Sequence, residues 1–211
     1  MKTKQLSSLS RTARLFATQL QYSMLALALM NTGVSRLMAQ DDHSHATQTE
    51  HSAQTPEQLA NASALVKVVQ DSTEKFKSVL LAQAAGYQLQ FGCVAGDDFG
   101  AMGMHYVNGD LVNKGELDAT KPQIVIYEPT PNGGLKLIGV DYLLLADAWN
   151  AKHSSPPELM GQMFHLFTAP NRFGLPAFYT LHVWAWKPNP KGAFVNWHPN
   201  VSCEQYSGKQ Q

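Results

Sequence analysis

Five side chains with metal-ligating chemistry lie within or beside apolar runs of the sequence: His105, Glu128, Asp141, His165 and His182. A charged carboxylate is almost never buried without a partner, so a carboxylate in such a run requires a cation or a hydrogen-bond donor. Two or three imidazoles with one carboxylate form a ligand set for a first-row transition metal. The sequence therefore predicts a site built from His105, Glu128 and His182, with His165 and Asp141 as further candidates, and Zn, Cu or Fe as a divalent cofactor.

Each candidate also has a structural interpretation. A lone histidine on a strand is more often a satisfied core or rim residue, and Glu128 precedes Pro129 and can simply end a strand. Asp141 can cap a neighbouring backbone group. The spacing of the candidates matches no recognised ligand motif, and the sequence has no phosphate-binding glycine loop, GxSxG elbow or CxxC pair. An apolar pocket without a metal, and with no cofactor, is the alternative.

The stretch "TLHVWAWKPNP", residues 180–190, alternates as a β-strand does. Strand geometry puts Thr180, His182, Trp184 and Trp186 on one face. Trp184 and Trp186 are therefore predicted to line a ligand pocket beside His182, because indoles favour sites with one apolar and one hydrogen-bonding side. Packing of both rings in the core is the competing interpretation. A non-catalytic module that binds a small molecule or a partner on this face is accordingly the second functional hypothesis.

A long helix is predicted to precede the strands. Thr55 is a suitable N-cap, Pro56 suits the first turn, and Glu57 complements the helix dipole. Apolar residues then recur at helical spacing from Leu65 to Ala84, before a glycine at position 86 that can end the helix. The pattern predicts one amphipathic helix whose apolar stripe lies on a sheet.

Short β-like runs separated by Gly, Pro and Asn follow the helix, over residues 87–91, 102–107, 123–128, 135–145 and 177–187. The segment "PTPNGG" between the third and fourth runs predicts a hairpin turn, in which Asn132 and Gly133 can supply positive φ angles. The predicted fold class is α+β, with a long N-terminal amphipathic helix packed on a curved antiparallel sheet or half-barrel.

The N-terminal region has the composition of a targeting signal. Residues 1–40 contain five bases, no acid and a short apolar run, which predicts a signal peptide and a periplasmic or secreted protein. A transit peptide to an organelle is the alternative, because the basic leader is long. Residues 41–54 are polar and His-rich and predict a disordered tether, and residues 55–211 predict a single domain.

Charge and hydropathy limit the classes of partner. Without the leader, eleven bases and sixteen acids remain, a net charge of about −5, which argues against nucleic acid. No later stretch approaches the roughly 20 apolar residues that span a bilayer, so no membrane attachment is expected after signal removal. A small molecule remains a possible partner, and the sequence does not indicate the oligomeric state.

The two cysteines, Cys93 and Cys203, both follow the leader. In an oxidising compartment an even pair more often forms a structural bridge than a reactive site, so a Cys93–Cys203 disulfide is predicted. Such a bridge would silence Cys93 as a nucleophile.

Three segments, "CVAGDDFGAMGMHYVNG", "YEPTPNGGLKLIGVDY" and "NRFGLPAFYTLHVWAWKPNPKGAFVNWHPNVSC", together resemble a family of exported bacterial proteins with an uncharacterised domain. The resemblance covers about residues 64–203 and implies export and a single domain. It implies no catalytic residue and no cofactor. The first functional hypothesis therefore depends on the residues themselves: an exported metal-binding domain, with activity as a small oxidase, lyase or isomerase as its finer form.

Overall fold

The computed structural model describes residues 54–96 and 98–208. These belong to one compact unit, His51–Gln211. The predicted signal peptide and residues 41–53 of the predicted tether lie outside the described residues. Among the helices that are described, none combines the length and the apolar composition needed to cross a bilayer.

Helix α1 (Pro56–Thr73) begins at the predicted cap. Thr55 and Gln58 form a capping box, in which the Gln58 backbone N–H donates to the Thr55 hydroxyl at 3.2 Å and the Thr55 N–H donates to the Gln58 side chain at 2.8 Å. The helix is broken, however, by a 3₁₀ turn (Glu74–Lys77) before α2 (Val79–Ala84). The single helix predicted from the sequence is thus two helices separated by a 3₁₀ turn. Gly86, with φ of 93°, ends the second helix.

Two contacts explain this break. The Thr73 hydroxyl donates to the Val69 carbonyl at 2.6 Å, a bond that competes with regular helix geometry. The Phe76 carbonyl then accepts a hydrogen bond from the Tyr127 hydroxyl of the sheet. A tertiary contact therefore satisfies a carbonyl that a continuous helix would have bonded internally.

The sheet is antiparallel throughout. Its strands are β1 (Tyr87–Gly96), β2 (Gly100–Asn108), β3 (Ile124–Pro129), β4 (Leu135–Leu145), β7 (His165–Phe167) and β8 (Phe178–Val183), and a separate hairpin is formed by β5 (Glu158–Leu159) and β6 (Gln162–Met163). The six strands lie in the order β1-β2-β3-β4-β8-β7. Short helices α3 (Gly109–Lys114) and α4 (Ala146–Asn150) follow β2 and β4. The α+β class and the curled sheet are confirmed.

The turn between β3 and β4 forms as predicted, with one difference. The Gly133 N–H donates to the Thr130 carbonyl at 3.0 Å, and the Thr130 N–H donates to the Gly134 carbonyl at 2.9 Å. Gly133 has φ of 75°, whereas Asn132 is not among the residues with positive φ. A loop of five residues needs a single left-handed position here, and glycine takes it.

One face of the sheet, the helix face, packs on α1, the 3₁₀ turn and α2. Leu65 and Val69 of α1 are fully buried, and the Phe76 ring meets Tyr87 edge-on at 5.1 Å. The Gln70 side chain donates to the Ala185 carbonyl at 2.7 Å. The apolar stripe of the helices therefore lies on the sheet, as its spacing predicts.

The predicted disulfide is present between Cys93 of β1 and Cys203, 110 residues apart. An isolated β-bridge between Ala101 and His198 runs beside it. Together the two links join the C-terminal segment to the first two strands.

Reduction of this disulfide is expected to lower the free energy of unfolding by about 4–5 kcal/mol, because opening so long a loop restores entropy to the unfolded chain. Denaturant unfolding with and without a phosphine reductant measures the effect. The double variant Cys93→Ala/Cys203→Ala is the control and should not respond to reductant. Two reactive thiols in the unfolded, unreduced protein would contradict the prediction.

Candidate metal centre

The strand register places two histidines and one aspartate on the same face of the sheet. Asp141 of β4 lies directly opposite His182 of β8 and, on its other side, opposite Ile124 of β3. His105 of β2 lies opposite Ile126, two residues further along β3. Residues directly opposite in a sheet point to the same side, so all three titratable side chains share what is here called the site face.

The curl of the sheet brings these three side chains together. Strand β2 is three strand positions from β8, which is about 14 Å in a flat sheet. The His105 and His182 ring centroids are nevertheless only 5.8 Å apart. The site face is therefore the inside of the curl, where side chains from non-adjacent strands converge.

The His105 ring is held in one orientation by the backbone. Its Nδ1 lies 3.1 Å from the Gly103 carbonyl oxygen, and a carbonyl can only accept, so the proton is on Nδ1. Nε2 is then the atom with the free lone pair. Histidine ligands of metals show this arrangement, in which a backbone carbonyl fixes the tautomer and the ring direction.

Gly103 is required for this orientation. Its φ is 89°, and a Cβ at this position would lie 2.7 Å from the Tyr127 carbonyl oxygen of the neighbouring strand. Both observations exclude any other residue without backbone movement. The glycine thus permits the close approach of β3 and directs its own carbonyl toward His105.

His182 is buried without hydrogen bonds. Only 3% of its surface is exposed, and neither ring nitrogen has a hydrogen-bond partner among the described residues. Its Nδ1 lies 3.6 Å from Asp141 Oδ1, too far for a hydrogen bond. Burial lowers the pKa of His182, and the Asn196 side chain opposes that effect only in part; the buried Asn196 Oδ1 itself makes no hydrogen bond within the described residues. Unsatisfied buried atoms of this kind cost about 1–3 kcal/mol each.

Asp141 is the anionic member of the group. The Thr180 hydroxyl donates to Asp141 Oδ1 at 2.5 Å. Burial raises the Asp141 pKa to about 6, against the opposing effects of the Thr180 hydrogen bond, the His105 charge and the Leu181 N–H. At pH 7 the carboxyl is therefore mostly ionised, although burial makes the ionised form less favourable than it would be in water.

The two imidazoles are neutral at the same pH. Burial, assisted by the charge of His182, lowers the His105 pKa to about 4. Burial, assisted by the charge of His165, lowers the His182 pKa to about 3. Asp141 and His182 therefore do not form a salt bridge at pH 7. Two neutral imidazoles and one carboxylate are the protonation states that metal binding requires.

The geometry suits a small cation after some contraction. The ligand atoms of His105, Asp141 and His182 all lie within 4.8 Å of one another, and no other group of three such side chains in the described residues meets that condition. Tetrahedral ligands with bonds of about 2.1 Å to one ion are about 3.4 Å apart. Binding of one ion would therefore draw the three side chains together.

A small cavity adjoins the group. It has a volume of about 30 Å³, and its wall includes all three ligand candidates with Thr180, Phe91 and Phe178. A water molecule needs at least about 10–15 Å³ on this measure. The cavity therefore has room for one or two water-sized ligands beside an ion, and for nothing larger.

The structure places Glu128 elsewhere. Its carboxylate oxygens both accept from Lys187 Nζ at 2.7 Å, and one also accepts from the Ser202 N–H at 3.2 Å. Glu128 is the second-last residue of β3, beyond the part of the strand that faces Asp141. The carboxylate that lies beside the two histidines is thus Asp141, whereas Glu128 forms a salt bridge with Lys187.

The other sequence candidates lie around the site. His165 on the edge strand β7 is exposed and lies opposite Thr180, outside the group of three. Strand β8 ends at Val183, so the predicted alternation does not continue to the tryptophans. Trp184 is buried and donates to the Val195 carbonyl at 2.6 Å, and Trp186 donates to Thr73 of α1 at 3.1 Å. Neither indole lines the cavity beside the ligand group.

Three contributors to the site were missed in the sequence. They are Gly103, Thr180 and Asn196, which contact the candidate ligands but are not ligands themselves. A search of the sequence for titratable side chains does not find them, because none of the three is titratable. The sequence placed Thr180 on the same strand face as His182, but it did not predict that Thr180 donates to Asp141. A signal existed for Asp141 over Glu128, since Asp141 lies near the middle of its strand and Glu128 near the end.

Comparison with known proteins identified no relative of this chain. No family model, no curated protein and no solved structure matches the chain.

Replacing His182 by leucine is expected to leave the metal-free protein as stable as the parent, or more stable by up to about 1–3 kcal/mol. Leucine has a similar volume and removes two ring nitrogens that lack partners. Denaturant unfolding of both proteins in the presence of a chelator measures the difference. A loss of several kcal/mol would mean that the imidazole is itself a structural element of the core.

Stability of the metal-free protein is expected to fall as the pH decreases from about 6 to 4. The two imidazoles have folded pKa values of about 4 and 3 and unfolded values of 6.5, so they favour unfolding at low pH. The Asp141 pKa, raised to about 6, acts in the opposite direction. The net difference is about one proton, or about 1.4 kcal/mol per pH unit. In His182→Leu this site's contribution should nearly vanish, and an unchanged slope would contradict the assignment.

Proposed function

We propose that the protein binds one divalent transition-metal ion through His105 Nε2, the Asp141 carboxylate and His182. One observation carries the proposal: a buried carboxylate lies beside an imidazole whose two nitrogens have no hydrogen-bond partner in the described structure. A divalent ion would remove both costs, because it compensates the buried negative charge and accepts an imidazole lone pair.

The ligand set favours zinc or ferrous iron. Magnesium and calcium prefer oxygen ligands, and soft cuprous ions prefer thiolate, which is absent because both cysteines form the disulfide. Two histidines with one carboxylate are typical of non-haem iron(II) sites, and three protein ligands with an open position are typical of catalytic zinc sites. When bound, such an ion would act as a Lewis acid or a redox centre toward a ligand in the adjoining cavity. Activity as a small oxidase, lyase or isomerase is the finer hypothesis.

We also infer that the protein is exported to the periplasm or secreted. The disulfide is compatible with an oxidising compartment, and the basic, acid-free leader supports export. N-terminal sequencing of the mature protein tests it, and a leader that remains attached would contradict it.

The competing hypothesis is a non-catalytic module that uses Trp184 and Trp186 to hold a ligand. Less supports it, because both indole N–H groups donate to internal acceptors and Trp186 also stacks under Lys77, whose Nζ is 4.1 Å from the ring centroid. These contacts place Trp186 in the packing between helix and sheet. Trp184 packs instead against the rings of His182 and His198, with centroid distances of 5.8 and 5.0 Å.

Metal analysis of ligand variants tests the proposal. The protein is first changed at His43, His45 and His51 to alanine, so that the N-terminal tract cannot carry adventitious metal. Titration of this protein with zinc(II) or anaerobic iron(II) is expected to show one equivalent bound and a metal-dependent rise in melting temperature. His105→Ala, Asp141→Ala and His182→Ala should each lower affinity at least a hundredfold.

The matched controls are Glu128→Gln and His165→Ala, which change the other sequence candidates. Both are expected to bind one equivalent with the parent's affinity, since neither residue belongs to the group of three. Loss of metal in Glu128→Gln with retention in Asp141→Ala would reverse the assignment. Absence of saturable uptake by the parent would remove the metal hypothesis.

A further inference from the structure

A second, larger cavity adjoins the candidate metal centre. This cleft has a volume of about 250 Å³ and is lined mainly by apolar side chains, among them Val107, Leu145 and Leu175. Phe91, Leu143 and Leu175 line both this cleft and the small cavity beside the ligand group. The two spaces therefore adjoin each other at these three side chains.

Size decides which space can hold an organic ligand. The small cavity, at about 30 Å³, takes only water-sized ligands. An engineered, enclosed protein cavity of about 150 Å³ lined by apolar residues binds benzene, and the cleft exceeds that volume although it is partly open to solvent. A molecule with a body the size of a six-membered ring therefore fits the cleft and not the smaller space.

Polarity limits the ligand further. No described residue that lines the cleft carries a charged side chain. Its polar lining side chains are the amides of Gln90 and Asn113, both exposed at the rim. Burial of an ionised group against such a wall would be costly, whereas a single hydroxyl or carbonyl could be satisfied at the rim.

The wall between the spaces contains an irregular piece of backbone. Strand β1 carries two extra residues, Phe91 and Gly92, between the positions that pair with His105 and Met104. Both have positive φ, 64° for Phe91 and 70° for Gly92. A bulky residue rarely adopts this conformation, and bulges and strained residues are concentrated beside functional sites.

The bulge directs the Phe91 side chain into the wall. Its ring packs against Phe173 with centroids 5.6 Å apart, and the side chain is half-buried. Gln90, the residue before it, lies opposite His105. A regular strand would instead continue the alternation past His105, so the bulge is what places an aromatic ring between the cleft and the ligand group.

We propose that the cleft is the organic-ligand site of the metal centre and takes a small uncharged molecule with a ring-sized apolar body and one polar oxygen, with Phe91 as the partition between ring and ion. This inference rests on the proposed metal site for its chemistry, but the cleft binds the ring by its own apolar wall. The ligand class follows from volume and charge, and the position of Phe91 follows from the bulge.

Fluorine NMR with 4-fluorophenol tests the proposal, with 4-fluorobenzoate as the charged probe of the same ring. The metal-free protein is expected to bind 4-fluorophenol saturably and 4-fluorobenzoate at least tenfold more weakly. Val107→Phe, which fills the cleft, should weaken 4-fluorophenol binding at least tenfold. Leu80→Phe adds the same ring at a position that is 71% exposed on α2 and should leave binding unchanged. Equal binding of the two probes, or unaffected binding in Val107→Phe, would overturn the proposal.

Cobalt(II) in place of zinc(II) tests the link between cleft and ion. Bound 4-fluorophenol should show paramagnetic broadening with cobalt and none with zinc, and Phe91→Gly should increase the broadening several-fold by removing the partition. Cobalt that binds without broadening the fluorine signal would overturn the link. A protein that binds neither metal would refute the proposed function alone, because the metal-free measurements still decide whether the cleft holds the ring.

Discussion

A carboxylate buried between two neutral imidazoles is the constraint on which the rest of this structure depends. Asp141 receives a hydrogen bond from Thr180 and an N–H from Leu181, which is little compensation for a charge that is only 3% exposed. The same burial that raises its pKa to about 6 lowers those of the histidines. Within residues 54–96 and 98–208, no lysine or arginine pairs with the group, so a proton or an external cation is what could relieve it.

The distribution of satisfied polar groups points to the same place. Elsewhere on the sheet, three tyrosine hydroxyls donate hydrogen bonds to backbone carbonyls. Tyr87 donates to Pro122, Tyr127 to Phe76 and Tyr142 to Ala119. In the described residues, the buried side-chain atoms without a partner belong to His182 and to Asn196, its neighbour. The unsatisfied buried polar atoms of the described residues are therefore concentrated at the candidate metal centre.

The backbone around the group is arranged to support it. Gly103 turns its carbonyl toward His105 at a position where a side chain would meet the next strand, and the bulge at Phe91 and Gly92 lies beside the same histidine. The C-terminal segment closes the other side, since Lys187 bonds both Glu128 and the Asn200 carbonyl and Cys203 joins β1. That segment pairs Glu128 with Lys187 and leaves Asp141 as the carboxylate beside the two histidines.

By itself, the sequence determined the elements and the chemistry of the candidates. The cap at Thr55, the helical spacing, the period-2 runs and the turn at Gly133 are local signals, and they correctly predicted an α+β fold with a curled antiparallel sheet. The pairing of Cys93 with Cys203 needed no geometry, because no other cysteine exists. Local signals also identified His105 and His182, since both interrupt buried strands.

Only the tertiary structure decided between Glu128 and Asp141 and between pocket and core for the tryptophans. Both carboxylates lie in apolar runs, and what separates them is Lys187, 59 residues from Glu128 in sequence. Likewise, Trp186 turns to Thr73, 113 residues away, because β8 ends at Val183. The direction in which the sheet curls, which brings β2 close to β8, is also a property of the whole sheet. Periodicity specifies which face a residue occupies, but the partner on that face is set by long-range packing, which no local pattern records.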